Sequence, residues 1–480
     1  MSPDLYQLAM AVLQPGFEGT TAPDWLRRAL GEGLGGAVLF ARNFPNDQLI
    51  AQMRAESPDV VLAIDEEGGA VTRLEATTGS SFPGNRALGV ADDVNLTERV
   101  ARQIARMLAE HDITLNYAPA VDVNANPANP VIGIRSFGPD PELVSRHTVA
   151  YVRGTQGAGV AACAKHFPGH GDTITDSHLA LPTVHASREV LAERDLPPFR
   201  AAVAAGVRAI MCGHLLVPAL DPELPATLSG AVLTGLLRDE LGFDGMLVTD
   251  AIEMRAVAAQ YPPGEIAVRA LAAGADAICA GLVDEHGLHE LRDAIVAAVR
   301  SGRLAEERLA QAAERVRALA GWYAEHATLR EKAVADADPG AGLEAARAAL
   351  TVTGAATLAE PPLVVEVNTR LNQAIDPATP TGITAALTAL LPGTTRLRLD
   401  GQDPAAGLDL GAEPRPVVLV VHDAARHAWV RETVARAVRQ RPDVIVVDTG
   451  VPDTPAGAAH LATHGLSRTS AQAAAERLTR

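Results

Sequence analysis

The chain has 480 residues, of which 48% are hydrophobic and 21% charged, and its formal net charge is −17 at pH 7. This length exceeds what one hydrophobic core usually supports, so we expect two domains, and the composition excludes a disordered or membrane-spanning chain. The negative charge argues against nucleic acid or an anionic membrane as the main partner, because both would repel the protein.

The cellular compartment is predicted from the N-terminus and the cysteines. The first stretch, MSPDLYQLAMAVLQPGFEG, has no basic leader and too short an apolar run for a signal peptide or membrane anchor. Cys163, Cys212 and Cys279 each lie in a short apolar run typical of a buried strand, where cysteines are usually unpaired. We therefore expect a cytoplasmic protein without a disulfide framework.

Eight short apolar runs alternate with helical patterns through roughly the first 300 residues, which is typical of β/α units around a parallel sheet. The predicted strands are residues 8–13, 36–40, 60–65, 114–119, 160–167, 208–214, 246–250 and 276–281. Eight strands close a barrel, so the predicted fold class is α/β, with a (β/α)8 TIM-type barrel.

Helical patterns separate these strands, for instance over residues 96–112 and 187–206. The second pattern has Ser187 as its predicted N-cap and ends at Gly206.

A polar stretch follows the last helical pattern of the barrel, and it predicts a domain boundary. We predict a barrel over residues 1–330, a linker over 331–345 and a smaller domain over 346–480. The apolar runs of the smaller domain predict an open α/β sandwich with helices on both faces of a parallel sheet. It has no glycine-rich phosphate motif and no candidate catalytic residue.

Polar residues stand at the carboxyl ends of several predicted strands: Asp65, Lys165, His166, His214 and Asp250. Any one of them could cap the sheet or pair with a helix dipole. In a β/α barrel, however, these strand ends converge on one open face, where active sites are built. Five such residues on one rim therefore favour a functional site.

Two motifs add candidate ligands for a polar substrate. In IDEEGG (64–69), Asp65 could accept two hydrogen bonds from neighbouring hydroxyl groups, with Arg73 close by. The alternative is an acidic turn with a surface arginine. In IGIRSFG (132–138), the planar donor group of Arg135 fits a carboxylate, a phosphate or an array of sugar oxygens, unless it only ties down a loop carbonyl.

The stretch KHFPGHGDTITDSH (165–178) is rich in titratable residues and could be a metal site, a phosphate loop or a mobile loop with a proton donor. His166 and His170 have metal-ligand spacing, but Pro168 and Gly169 between them forbid a regular helix. A phosphate loop would lead into a helix N-terminus, and the two aspartates would repel the anion. We therefore expect no metal and no cofactor.

The remaining interpretation is a strand end followed by a glycine-rich loop that returns over the rim. Asp176 lies two residues before His178, close enough to orient the imidazole and raise its basicity. His178 is thus a candidate general acid/base, and His170 a support for the loop.

Asp250 ends a strand in VTDAIEM, ahead of a predicted helix. A carboxylate at this place can act as a nucleophile or an electrostatic stabiliser, or simply as a helix N-cap.

Taken in order, GGAVLFARN, IDEEGGAVTRL, IGIRSFG, KHFPGHG with DSH, and VTDAIEM resemble the motifs of family 3 glycoside hydrolases, in the bacterial β-N-acetylglucosaminidase (β-N-acetylhexosaminidase) branch with two domains. The resemblance covers residues 5–330. It implies that Asp250 is the nucleophile, His178 the acid/base and Asp176 its partner. It further implies that the sugar is held by Asp65, Arg73, Arg135, Lys165 and His166.

The resemblance implies a retaining exo-β-N-acetylglucosaminidase acting on a small saccharide, with peptidoglycan fragments as the expected source. Ala251 stands where the family often has a second acidic residue. Phosphate stays open as the acceptor, since a neutral imidazole does not repel an anion. The alternatives are a phosphorylase or β-glucosidase, a sugar-binding protein without turnover, and a metal-dependent hydrolase. The oligomeric state and the role of the smaller domain are not predicted.

Overall fold

The computed structural model describes residues 4–369, 372–400 and 408–480 of the chain. Its strands are β1 (Leu13–Pro15), β2 (Gly36–Leu39), β3 (Val61–Ile64), β4 (Leu115–Asn116), β5 (Ala161–Phe167), β6 (Ala209–Cys212), β7 (Met246–Thr249), β8 (Ile278–Ala280), β9 (Thr351–Gly354), β10 (Leu363–Asn368), β11 (Thr395–Asp400), β12 (Val417–Val421), β13 (Ile445–Asp448) and β14 (Ala459–Ala462).

The helices include a π-helical turn (Leu191–Asp195) and a longer π-helical segment (Ala231–Glu240). The α-helices are α1 (Leu5–Ala11), α2 (Asp24–Gly31), α3 (Asp47–Glu56), α4 (Asn85–Ala91), α5 (Val94–Glu110), α6 (Pro141–Gly157), α7 (Arg188–Val190), α8 (Pro197–Ala204), α9 (Arg255–Ala258), α10 (Pro263–Ala273), α11 (Glu285–Arg300), α12 (Glu306–Glu325), α13 (Ala327–Ala335), α14 (Ala341–Ala349), α15 (Thr384–Leu390), α16 (Ala428–Gln440) and α17 (Arg468–Leu478). In the part of the chain described above, no helix is long and apolar enough to cross a membrane.

The first eight strands form the predicted barrel. Strands β2 to β7 are parallel neighbours in chain order, and β1 pairs in parallel with β8, with Leu13 opposite Ile278. A bridge between Val248 and Ala277 joins β7 to β8. The predicted (β/α)8 architecture is therefore confirmed.

Barrel strands are buried on both faces, which explains why the sequence shows uninterrupted apolar runs rather than alternation. One face fills the barrel interior with side chains such as Val61, Leu115 and Met211, and the other packs against the helices. Helix α12 covers one part of this interior through Val316 and Leu319. The three cysteines are buried and unpaired, as predicted.

The first predicted strand is wrong. Residues 8–11 belong to α1, and β1 begins only at Leu13. Leu8, Ala9, Met10 and Ala11 are all buried, and a short apolar run cannot be assigned to a strand or a buried helix by periodicity. Here α1 packs against α11 and α12, and its Leu, Gln, Ala and Met residues are good helix formers.

Ser187 caps the helix predicted over 187–206, because its Oγ accepts a hydrogen bond from the amide of Val190. That helix is interrupted by the π-helical turn. The stretch predicted as a linker, 331–345, is mostly helical, since α13 and α14 occupy both its ends. Only the residues between Ala335 and Ala341 connect the two helices.

The C-terminal unit contains one sheet of strand order β11-β10-β12-β13-β14-β9. Five strands are parallel, as predicted, whereas the edge strand β9 runs antiparallel to β14. Helices α15 and α17 pack on one face and α16 on the other, so the sandwich is confirmed.

The two units pack together through α14, which lies against α4 and α5. Gly342 allows this approach, because a Cβ there would lie 2.0 Å from the carbonyl oxygen of Ser81. Arg99 on α5 adds ion pairs to Asp338 and Glu344, at 2.8 and 2.9 Å.

Candidate active site

An open cavity of about 420 Å³ lies at the carboxyl ends of the barrel strands, a volume usual for small-molecule sites. Seven of the eight predicted site residues line it: Asp65, Arg73, Arg135, Lys165, His166, His178 and Asp250. The eighth, Asp176, contacts His178 directly. Residues 373–377 of the C-terminal unit also line the cavity, a contribution that sequence reasoning missed.

The buried carboxylate of Glu67 contacts both Lys165 and Arg135. The Nζ of Lys165 lies 2.6 Å from Oδ1 of Asp65 and 2.7 Å from Oε1 of Glu67. Arg135 donates to both oxygens of Glu67, through Nη2 at 2.6 Å and Nε at 3.0 Å. It also donates to the carbonyl of Val131 at 3.2 Å, which is the loop contact named above as the alternative. The network fixes two cations at the cavity wall.

Glu67 and its neighbour Glu66 have opposite electrostatic surroundings. Burial would raise the pKa of Glu67, but Arg135 and Lys165 outweigh it and hold that pKa well below the usual range. Glu66 accepts hydrogen bonds from the amides of Arg73 and Leu74, at 2.8 and 3.1 Å. Burial nevertheless raises the pKa of Glu66 to about 7. Sequence reasoning assigned neither residue a role, although IDEEGG contains both.

Replacing Glu67 with glutamine is expected to lower the free energy of unfolding by about 3 kcal/mol, because buried Arg135 loses its paired carboxylate and buried Lys165 keeps only Asp65. The depressed pKa of Glu67 contributes stability at pH values above its unfolded pKa, and this contribution is lost as pH falls through the folded pKa. Urea unfolding of Glu67→Gln at pH 7 measures the effect.

The matched control is Glu66→Gln, which neutralises the adjacent buried carboxyl. Because the pKa of Glu66 is already about 7, this variant should change the free energy of unfolding much less than Glu67→Gln. Equal losses in the two variants would contradict the charge argument.

Arg73 is buried rather than a surface residue, so the acidic-turn alternative is wrong for it. Its Nη2 lies 3.8 Å from Oδ2 of Asp65, and its Nη1 donates to the carbonyl of Ala374 at 2.9 Å. Arg73 therefore joins the barrel end of the cavity to the C-terminal unit.

His166 is fixed by a second buried carboxylate, Asp122, which sequence reasoning also missed. Its Nδ1 lies 2.8 Å from Oδ2 of Asp122, whose Oδ1 accepts from the amide of His170 at 2.7 Å. Nη2 of Arg135 can only donate, and it approaches Nε2 of His166 at 3.4 Å. These contacts place a ring proton on Nδ1, where it faces Asp122. The sequence signal that could have identified Asp122 is its position in the segment that follows β4.

Asp176 and His178 form the pair that the DSH motif predicts. Oδ1 of Asp176 accepts from Nδ1 of His178 at 2.7 Å and from the amide of the same residue at 3.0 Å. Burial would raise the pKa of Asp176, but the hydrogen bonds from His178 outweigh it and lower that pKa. Asp176 thus stays ionised, and the Nε2 of His178 is left for the cavity.

The loop that carries this pair is anchored at several points. His170 contacts Thr173 Oγ1 at 2.8 Å and Ser177 Oγ at 3.2 Å through its two ring nitrogens. Burial lowers the pKa of His170 to about 4, so its ring is neutral near pH 7. Asn129 donates to the carbonyl of His170, and the amide of Ala256 donates to the carbonyl of Ser177. His170 therefore supports the loop.

Asp250 directly follows β7 and lines the cavity. Its Oδ1 accepts from the next amide, that of Ala251, at 2.8 Å. Helix α9 begins only at Arg255, with Met254 at its cap position, so the N-cap interpretation is wrong. Burial would raise the pKa of Asp250, but neighbouring imidazoles, His166 first among them, outweigh it and lower that pKa.

His214 behaves differently from the other strand-end residues. Its ring is fully buried between Thr227 Oγ1, at 2.8 Å, and the carbonyl of Ala251, at 3.0 Å. It supports the chain after Asp250 and contributes no surface to the cavity.

The described residues contain no group of three or more His, Cys, Asp or Glu side chains placed to hold a metal ion. His166 lies in β5 and His170 in the loop beyond it, so the two are not on a helix.

Comparison with known proteins finds a matching family model, similar relatives and similar solved structures. Residues 6–319 match the model of the glycosyl hydrolase family 3 N terminal domain. The β-hexosaminidase A of Pseudoalteromonas piscicida is 38% identical over 284 residues, and a β-hexosaminidase of Vibrio cholerae serotype O1 is 37% identical over 252. The structure of a glycoside hydrolase family 3 β-N-acetylglucosaminidase from Paenibacillus sp. str. FPU-7 has a TM-score of 0.87 and 34% identity.

The extent of these matches differs. The alignment covers 54% of this chain and 47% of the Pseudoalteromonas protein, and 51% of this chain and 74% of the Vibrio protein. The chain thus spans about half the length of the first relative. The Paenibacillus structure is matched over 100% of this chain and 97% of its own.

Proposed function

The chain belongs to glycosyl hydrolase family 3, and from this premise we propose that it is a retaining exo-acting β-N-acetylglucosaminidase. The observation that carries the proposal is one cavity lined by Asp250, by His178 with Asp176 as its partner, and by a cluster of buried cations and carboxylates. The relatives named above, β-hexosaminidases and a β-N-acetylglucosaminidase, support the choice of sugar.

The proposed first step forms a covalent glycosyl-enzyme. A carboxylate oxygen of Asp250 attacks the anomeric carbon, and the bond to the leaving oxygen breaks with its electron pair. Nε2–H of His178 protonates that oxygen as it leaves. The lowered pKa of Asp250 supports this role, because an attacking carboxylate must be ionised.

The second step returns the enzyme to its starting state. The neutral His178 takes a proton from water, whose oxygen attacks the anomeric carbon and releases Asp250. Asp176 holds the imidazole in one tautomer and stabilises its protonated form, which donates in the first step and is restored by the second. Two displacements at the same carbon retain the β configuration.

The sugar would be held by the strand-end network. Asp65, Lys165, Arg135, His166 and Arg73 offer both donors and acceptors to ring hydroxyls and to the N-acetyl group. We propose peptidoglycan fragments as the natural source and the cytoplasm as the compartment; three buried unpaired thiols support a reducing environment.

The substrate assay is the direct test of this proposal. We expect p-nitrophenyl N-acetyl-β-glucosaminide to be cleaved with a kcat/KM at least about tenfold above that of the β-glucoside, because a site built to bind a polar group rejects analogues that lack it. A higher rate on the glucoside would indicate a β-glucosidase, and binding without release of p-nitrophenol would indicate a sugar-binding protein.

Phosphate titration in the same assay identifies the acceptor. We expect free N-acetylglucosamine at every phosphate concentration. Accumulation of the sugar 1-phosphate in proportion to phosphate would show a phosphorylase, which an imidazole acid/base permits because it does not repel an anion when neutral. Loss of turnover on dialysis against a chelator would favour the metal-dependent alternative.

A further inference from the structure

A short segment of the C-terminal unit, Gln373–Pro377, forms one wall of the active-site cavity. It lies between β10 and α15 and is anchored on the barrel by side chains and main chain. Arg73 donates to its Ala374 carbonyl at 2.9 Å, and Asn372 donates to the carbonyl of Val131 at 3.4 Å. Ile375 is only 5% exposed and packs with Val71 and Ile134. The wall is therefore a fixed part of the site.

The carboxylate of Asp376 belongs to this wall. Its Oδ1 accepts a hydrogen bond from the amide of Ala378 at 2.9 Å, which fixes the side chain in a local turn. The carbonyl of Asp376 accepts from the amide of Thr379 at 3.0 Å. An ionised carboxylate has about four acceptor positions, so this turn leaves most of them for a ligand. Asp376 itself is partly exposed and lines the cavity.

The wall stands at the end of the cavity opposite Asp250. Asp65 follows β3 and Asp250 follows β7, and the third and seventh strands of an eight-stranded barrel face each other. Arg73 joins Asp65 to the wall, since it contacts both the carboxylate of Asp65 and the carbonyl of Ala374. In the proposed reaction the anomeric carbon lies at Asp250. The ring atoms farthest from it, C4 and C6, then point toward the wall.

We propose that Asp376 is a specificity-determining residue of the sugar site, whose carboxylate accepts a hydrogen bond from a hydroxyl at the C4–C6 end of a terminal N-acetylglucosamine; this inference rests on the proposed function for the orientation of the sugar. The C-terminal unit thereby completes the sugar site. A hydrogen bond from a hydroxyl to a carboxylate is charge-assisted and stronger than a neutral one.

The test is a binding cycle that removes the carboxylate and the hydroxyl separately and together. Calorimetry measures the affinity of N-acetylglucosamine and of its 4-deoxy and 6-deoxy analogues for the full chain and for Asp376→Ala. We expect the wild type to bind one deoxy analogue about tenfold more weakly, and Asp376→Ala to bind the parent sugar about tenfold more weakly. The variant should bind that deoxy analogue no worse than the parent sugar.

Two further variants separate recognition from folding. Asp376→Asn keeps the shape and an acceptor for the turn, so its thermal unfolding should match the wild type while sugar affinity falls. Asp409 makes the same kind of turn in the same unit, because its Oδ1 accepts from the amide of Gly411 at 3.1 Å. Asp409→Asn, at an exposed position, should leave sugar affinity unchanged.

The inference is overturned if the affinity of each deoxy analogue, relative to N-acetylglucosamine, falls by the same factor in the wild type and in Asp376→Ala. The carboxylate and the hydroxyls would then contribute to binding independently. The cycle needs no turnover. Absence of p-nitrophenol release would refute the proposed function and leave the binding cycle as a separate test of Asp376.

Discussion

Asp250→Asn is expected to lower kcat on p-nitrophenyl N-acetyl-β-glucosaminide by about 10⁴-fold or more, because loss of a nucleophile removes the covalent path. The substitution keeps the size of the side chain and an oxygen that accepts from the amide of Ala251. Thermal unfolding should therefore change little. Steady-state kinetics and calorimetric melting on the same sample measure both quantities.

The identity of the nucleophile can be read from the wild-type enzyme. Incubation with a fluorinated N-acetylglucosaminide should leave the sugar on Asp250, which peptide mass spectrometry detects. The control variant is Asp244→Asn, because Asp244 is exposed at the opposite end of the same strand, β7. A sugar adduct on another residue, or near-normal kcat in Asp250→Asn, would refute the assignment.

The pH profile gives an independent check of the same residue. The pKa values of Asp250 and Asp176 are both held below their usual range, in each case against the effect of burial. Both carboxylates are then ionised above pH ~4, the ordinary value for aspartate. The acid limb of kcat/KM that belongs to Asp250 should accordingly lie below that pH.

His178→Ala is the second large expected effect, and its size should depend on the leaving group. For a saccharide leaving group we expect kcat to fall about 10²–10⁴-fold, the usual contribution of general acid/base catalysis. Formation of the glycosyl-enzyme from an activated phenyl glycoside should fall much less, because an acidic phenol departs without a proton. A series of aryl glycosides with leaving groups of different pKa measures this dependence.

Two variants complete the experiment on His178. Asp176→Asn removes the carboxylate that accepts from Nδ1, so the imidazole should adopt the wrong tautomer and activity should fall in the same direction. His185 lies seven residues beyond His178 and is exposed, so His185→Ala should behave as wild type. If the loss in His178→Ala were equal for all leaving groups, the histidine would not be the proton donor.

Much of the site could be predicted from the sequence because several strand ends carry a polar residue. Asp65, Lys165, His166 and Asp250 follow buried apolar runs, and parallel barrel strands bring such ends to one face. The presence of Pro168 and Gly169 also predicted correctly that His166 and His170 do not share a helix. The catalytic roles themselves stay predictions that the experiments above decide.

Glu67 and Asp122, which the sequence did not identify as site residues, act through partners that are distant along the chain. Glu67 matters because Arg135, 68 positions later, donates to it, and Asp122 matters because His166 lies 44 positions later. Neither carboxylate differs locally from an ordinary acidic residue in a turn. Only the folded barrel brings each one to its partner and excludes water from the pair.

The barrel, the sandwich and the rim on which the polar residues meet could be predicted from local patterns, because burial on both faces of parallel strands leaves uninterrupted apolar runs. Helix α1 could not, because a short apolar run suits a buried helix as well as a strand. The contact of Ala374 with Arg73, across 301 positions, and the place of Asp376 in the cavity lining appear only in the folded chain. Such contacts depend on how the two units pack, and no local pattern of residues encodes that packing.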